Sequence, residues 1–418
     1  MRLRSDPVVR LRALVLAAYC VNGFCLSAWN VRLAAIGEQT GLDAAGLGRF
    51  LMAGAIGTLV TIPVAGRWVA RAGSRRVYGL ATVGFVVAYL ALAAAIALGA
   101  VWPLLAANAL HGAAFALTNV PQSVLGTQAE RRVGRSILSQ FHAAYSIAAA
   151  LGAALGGLAA TAGLGPAPQL LALAVLAGAA RTAVWSGLRG AGTLDPLPAR
   201  PVPPSGPDEE PTPRGRRTGV WLETSTLLLG TVVFGAALSE GAANNWITPT
   251  LIDAFPVDEG TAATAVSVFL VAQTLGRIAG GRLVDRFGAT VALVTSGLVS
   301  TAGVVLFAAA PVLWLCWVGA GVWGLGAALS VPVAISVAAR GGDAPTRIAA
   351  VTSLSSLANI AGPPLIGAAA DAVGLRWAVG AVGVVLLAGA VAGRFAARDR
   401  RPRIAPVRAE PQPVDAAG

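Results

Sequence analysis

The sequence predicts an all-α membrane protein, with twelve transmembrane helices in two pseudo-symmetric six-helix bundles. Three observations carry this. Hydrophobic residues make up 56% of the 418-residue chain and charged residues 12%, with a mean hydropathy of +0.71; an ordinary soluble domain carries about 25% charged residues. The apolar residues gather into segments of about 20 residues, the length that crosses a ~30 Å hydrocarbon layer. Finally, the octapeptide Gly66-Arg67-Trp68-Val69-Ala70-Arg71-Ala72-Gly73 returns 215 residues later as Gly281-Arg282-Leu283-Val284-Asp285-Arg286-Phe287-Gly288, identical at five of eight positions. Each copy closes one apolar segment and precedes another, as in a chain built from two related halves.

The first six segments are Leu11–Leu33, Leu47–Trp68, Val77–Leu98, Pro103–Gly126, Ser136–Ala159 and Gln169–Leu188. The second six are Trp221–Thr248, Thr261–Gly281, Ala289–Ala310, Leu313–Ala338, Ile348–Ala370 and Trp377–Phe395. Residues 1–188 therefore form an N-terminal bundle and 219–395 a C-terminal one. The linker between them, 189–218, carries eight prolines, the acidic run Asp208-Glu209-Glu210 and the basic run Arg214-Gly215-Arg216-Arg217. It has no apolar face to bury, so a disordered tether is expected. The Arg-rich, Pro-bearing tail, 396–418, reads the same way.

Arginine placement sets the orientation. All 31 basic residues are Arg; with alternate loops assigned to one side, 26 fall there and three (Arg32, Arg49, Arg376) on the other. Arg181 and Arg277 remain inside spans. The positive-inside rule then puts both termini in the cytoplasm of a cell-membrane protein. The net charge of +12 reflects topology, and basic residues scattered among short loops leave no face for nucleic acid. The first segment is too long for a signal-peptide core and is read as retained. Cys20, Cys25 and Cys316 lie within spans, which argues against disulfides and zinc. Without Lys there is no Walker A loop, so no nucleotide partner is expected, nor any cofactor.

Polar residues in lipid are costly, and their spacing shows which helix face avoids it. In the fourth span Asn108, His111, Phe115, Thr118 and Gln122 recur at steps of three and four, one narrow stripe. The first span offers Tyr19, Asn22, Trp29 and Asn30; the fifth His142, Tyr145 and Ser146; the seventh Glu240 and Asn244; the eleventh Thr352, Ser355, Ser356 and Asn359. Such stripes either line one water-accessible cavity or make interhelical hydrogen bonds. Packing alone rarely needs His, Asn and Gln on one line, which favours a cavity for the fourth span. The expected solute contacts are Asn22, Trp29, Asn30, Asn108, His111, Gln122, Asn244, Asn245 and Trp246. Glu240, the one carboxylate well inside an apolar span, is the candidate proton carrier, with His111 in reserve and a structural ion pair as the competing role. His142 is expected to be a neutral hydrogen-bonding group. Arg277 is expected to snorkel or to pair with the nearby loop motif. The glycine runs 152–156 and 276–280 read as close-packing surfaces.

The two octapeptides resemble the G-x-x-x-D-R-x-G motif of the major facilitator superfamily. The second copy matches in full at Gly281, Asp285, Arg286 and Gly288; the first keeps Gly66, Arg71 and Gly73 but has Ala70 where the acid belongs. Trp29-Asn30-Val31-Arg32, Ser139-Gln140-Phe141-His142, Glu240-Gly241 and Asn245-Trp246 are similar to the MosC-like branch, near the fucose:proton symporters. The resemblance implies a secondary transporter working by alternating access. It makes the two loops conformational latches and gives a small solute, a proton and the bilayer as partners, with a monomer as the working unit. Fucose symporters use acids in their first and fourth spans where this chain has amides and His. Drug:proton antiporters carry G-P-x-x-G-G in the fifth span, and Gly152–Gly157 lacks the proline. Efflux of an amphipathic compound, a membrane enzyme and a transport-silent receptor are the alternatives, the enzyme being short of paired acids.

Overall fold

The computed structural model describes residues 7–133, 137–190, 219–340 and 344–396. Nearly all of the linker and the whole tail from 397 lie outside the described residues. The N-terminal half runs through Pro7–Asn30, a short helix Leu33–Thr40, then Ala44–Ala72, Ser74–Ala97, Val101–Val133, Leu138–Thr161 and Pro166–Gly187. The C-terminal half comprises Thr224–Ala254, Glu259–Ala309, Leu313–Ala327 with Ser330–Ala338, Ala344–Val373, and Leu375–Gly380 with Val382–Ala396. Eleven of these helical stretches are long and apolar enough to cross a membrane among the described residues. One of them, Glu259–Ala309, has 51 residues, about 76 Å at 1.5 Å per residue, over twice a hydrocarbon core. It is broken at Gly288 (φ 82°, ψ 168°) and supplies the eighth and ninth spans, which makes twelve.

The repeat seen in sequence is repeated in backbone geometry. Gly73, 215 residues before Gly288, takes φ 81° and ψ 152° between the second and third spans. Only glycine enters that region without strain. Gly73→Ala and Gly288→Ala are each expected to cost about 1–3 kcal/mol. Gly66→Ala and Gly281→Ala, where an added methyl meets open space, serve as neutral controls. Thermal unfolding in detergent checks all four, and equal melting temperatures would show that the turns carry no strain.

Helix partners also repeat. The first span packs on the fifth, the second and third on the fourth, and the third on the sixth. In the other half the seventh packs on the eleventh, and the eighth and ninth on the tenth. The first and fifth spans approach closely because they meet at glycine: a methyl on Gly152 would lie 2.2 Å from the Phe24 carbonyl, and one on Gly156 2.3 Å from that of Ala28. Large apolar side chains face outward, among them Val83, Val175, Ile278 and Val384 at 60–71% exposure, a surface suited to lipid. The tenth span breaks at residues 328–329 because Pro332 has no N–H to give the Ala328 carbonyl. The first stops at Asn30, short of the expected Leu33, where Arg32 turns the chain (φ −92°, ψ 10°).

Candidate functional site

The halves meet at one end of the spans, the end with the Arg-poor loops. The first turns of the second span lie on the eleventh, so that a methyl on Gly48 would be 2.7 Å from the Pro363 carbonyl. The last turns of the fifth lie on the eighth, Gly157 against Ala263. These two contacts are pseudo-symmetric copies, since the second and eighth spans correspond and so do the fifth and eleventh. Between them sits an ion pair across the halves. Arg32 Nε donates to Glu259 Oε2 at 2.7 Å, with the side chains 4% and 12% exposed. Arg32 Nη1 also donates to the Gln169 amide oxygen, and Gln169 in turn holds the Ala28 carbonyl at 2.6 Å. Beside this, Asn30 Nδ2 donates to Asn245 Oδ1 at 3.1 Å, two residues 215 positions apart, the spacing of the repeat. At the mouth of the eighth span Asp258 accepts from the Thr261 hydroxyl at 2.7 Å and its N–H at 2.9 Å. Those bonds hold the Asp258 carboxyl below its ordinary range.

Below this seal lies a cavity of about 430 Å³, walled by both halves. Trp29, Asn30, Asn108, His111, Glu240, Asn244 and Asn245 all line it. Six of the nine expected solute contacts are therefore together, with the candidate proton carrier beside them. Asn22, Gln122 and Trp246 stand elsewhere. Asn22 donates to Asn119 at 3.4 Å. Gln122 is eleven residues past His111, about 16 Å along the helix away from the seal. Trp246 is 1% exposed inside the C-terminal half, because a residue adjacent to Asn245 is turned about 100° away from it. Ser27, Thr58 and Gln273 also form the wall, and the polar stripes do not include them. Gln273, the one amide in its span, is the sequence signal that points there.

Several wall groups are already engaged. Asn108 Nδ2 donates to the Phe50 carbonyl at 2.6 Å, and Asn244 Nδ2 to the Glu240 carbonyl at 2.9 Å. The second bond ties Asn244 to the backbone of Glu240 and not to its carboxyl. His111 stands edge-on to Trp29 and Phe85, with centroids at 5.3 and 5.2 Å, and beside Tyr89 at 5.4 Å. Arg277 neither snorkels nor joins the loop motif. Its Nη2 lies 3.5 Å from Glu240 Oε1, and its Nη1 donates to Ser146 of the opposite half at 3.0 Å. The long guanidinium reaches the cavity because Arg277 falls four residues, one turn, below the wall residue Gln273. Polar contacts between the halves extend from the seal to this pair. Asp285 and Arg286 are exposed, Arg286 lying 5.2 Å over the Phe287 ring, and the neighbourhoods of Gly66 and Gly281 are open.

Residues 15–230 and 229–417 each match the sequence profile of the Major Facilitator Superfamily, one match per half. The chain belongs to the major facilitator superfamily. As a member it is a multi-pass membrane protein and a secondary transporter that moves a solute, not an enzyme. It is 30% identical to an uncharacterized transporter of Sinorhizobium fredii over 369 residues, covering 87% of this chain and 92% of that one. It is 29% identical to the membrane protein MosC of Rhizobium meliloti over 171 residues, 40% of this chain and 42% of that one. Among solved structures, a bacterial homologue of the lysosomal transporter Spinster, in an inward-facing conformation, superposes with a TM-score of 0.71 over 94% of this chain and 97% of its own, at 14% identity. A point mutant of the nucleoside transporter NupG gives 0.69 over 94% and 100%, at 13% identity. These two likenesses establish the superfamily fold.

Proposed function

We propose that this transporter couples a small polar solute to protons across the cell membrane by alternating access. The two bundles, 1–188 and 219–395, are the moving units of a working monomer, and both termini are cytoplasmic. On that topology the sealed end faces outward and the cavity opens to the cytoplasm. The observation that carries the reading is the cavity itself: it lies between the halves, is closed at one end, and holds one carboxylate, Glu240, among its described wall residues. Glu240 takes the proton. Once neutral it loosens its hold on Arg277, and with that the link from the seventh and eighth spans to Ser146 of the fifth. Trp29, Asn30, Asn108, His111, Asn244 and Asn245 contact the solute; Asn22 and Gln122, each 1% exposed, support the N-terminal bundle from within, and Trp246 supports the wall from behind.

The second loop motif is the cytoplasmic latch. Asp285 and Arg286 are free of the opposite half here, as an inward-open state requires. Gly66, Arg71 and Gly73 on one side and Gly281 and Gly288 on the other leave room for helix ends to seat when that side closes. Asp285→Asn is expected to slow transport severalfold, whereas Ala70→Ser leaves it unchanged; initial uptake rates in vesicles check both. If Asp285→Asn transports at the wild-type rate, the loop is only a turn.

Purified protein in proteoliposomes, screened for solute-dependent proton flux against sugars, polyols, organic acids and antibiotics, tests the whole reading. The direction of solute movement relative to the proton separates uptake from efflux of an amphipathic compound. A screen without any coupled flux counts against proton coupling.

A further inference from the structure

We infer that the cavity takes a solute bearing a single carboxylate, because an uncompensated guanidinium stands behind its N-terminal wall. The inference rests on the reading of this cavity as the solute site. Arg181, in the sixth span, is 1% exposed. It donates one N–H to the Thr118 hydroxyl and lies 4.1 Å over the Phe85 ring and 5.3 Å over that of Tyr78. Its Nε and Nη1 have no hydrogen-bond partner, and no carboxylate forms a salt bridge with it among the described residues. A buried cation without a counter-charge is expensive, and in membrane spans such a residue is a functional candidate by default. Phe85, against which the guanidinium rests, also touches the wall residue His111, ring centroids 5.2 Å apart. The charge is thus two ring contacts from the cavity.

A charge inventory gives its sign. Glu240 is offset by Arg277 at 3.5 Å, and Glu259 at the seal by Arg32 at 2.7 Å. Arg181 remains, one positive charge in a wall of low polarisability, where fields act at longer range than in water. The hydrogen-bond inventory points the same way. Among the buried side-chain atoms of the wall, Trp29 Nε1 and Gln273 Nε2 are donors without an acceptor and Asn30 Oδ1 is an acceptor without a donor; His111 Nε2 can serve either way. A carboxylate accepts only, so it answers the surplus donors and the charge together. A neutral polyol would leave the charge unanswered and a cation would be repelled. A phosphate monoester, with close to two negative charges, would exceed the single positive one.

The potential can be read without knowing the solute. Ser355, a partly exposed wall residue of the eleventh span, is replaced by Cys in a chain whose Cys20, Cys25 and Cys316 are Ala. Its reaction rates with anionic and cationic methanethiosulfonates are then normalised to a free thiol. The anionic reagent is expected to be favoured, Arg181→Gln to lower the anionic-to-cationic ratio by about fifteenfold, because a unit charge about 20 Å away at an effective permittivity near 20 changes the two rates about fourfold in opposite senses, and Arg181→Lys to preserve it. A cationic preference with Arg181 in place overturns the inference, and so does a ratio unmoved by Arg181→Gln. Should Arg181→Gln fail to fold, the preference measured with Arg181 intact still decides. In the proteoliposome screen a neutral or cationic solute overturns the inference while leaving the transport reading intact.

Discussion

Arg32→Ala is expected to destabilise this structure by about 3 kcal/mol, the lower end of the cost of removing one partner of a buried ion pair, and to abolish most transport. Arg32 is 4% exposed and makes the 2.7 Å bond to Glu259 while holding Gln169 in place. Its removal strands a carboxylate that is 12% exposed at the junction of the halves. That loss belongs to one conformation only, since the two side chains come from opposite halves and separate when the sealed end opens. A state-specific loss of about 3 kcal/mol moves the balance between the two access states by about a hundredfold. Reactivity of a cysteine placed in the cavity should therefore rise from the outer side, while substrate affinity measured from the cytoplasm falls. A double-mutant cycle with Glu259→Ala isolates the pair term. Coupling below about 0.5 kcal/mol, the scale of an exposed ion pair, would mean that the seal is held by its glycine contacts instead.

Glu240→Gln is expected to abolish accumulation driven by a pH gradient and to leave solute exchange at equilibrium intact. The amide keeps the shape of the side chain but cannot gain or lose a proton at physiological pH. Arg277 then keeps only its bond to Ser146, as it would beside a permanently protonated Glu240. Arg277→Gln separates the two roles: it should impair the conformational cycle and slow exchange as well as accumulation. Counterflow and gradient-driven uptake in the same vesicle preparation measure the two processes independently. If Glu240→Gln still concentrates solute, the proton binds elsewhere, and His111 on the facing wall is the first place to look.

The fold is open to reading because hydrophobicity and the repeat are properties of the chain alone. Span length follows from bilayer thickness, and the octapeptides locate the same turn twice, Gly73 and Gly288 agreeing closely in φ at 81° and 82°. The cavity is half legible. Stripes at helical spacing pick out the face that avoids lipid, and that face holds Asn108, His111, Glu240 and Asn244. Spacing does not say how far along that face the cavity extends, so it groups Gln122 and Asn22 with residues several turns away. Nor does it reveal pairs formed between halves. Arg277 reads as an interfacial residue because its partners Glu240 and Ser146 come from two other spans. The Arg32–Glu259 pair joins positions 227 residues apart, each at a span end where a charge needs no special explanation.

The bond between Asn30 and Asn245 has a further consequence. A residue that touches its own counterpart sits on the axis relating the two copies, as identical residues do at the dyad of a homodimer. Points on an axis travel least when the bodies around it tilt, so in the proposed alternating-access cycle this amide pair is the expected fulcrum: the seal parts and the opposite ends close while it stays joined. In this structure the bond is one-sided, with Asn30 giving and Asn245 receiving, and turning over both amides exchanges the roles. The joined halves are thus free to diverge one position away, where Trp29 in one corresponds to Asn244 in the other, and still hinge on an amide that duplication supplied twice.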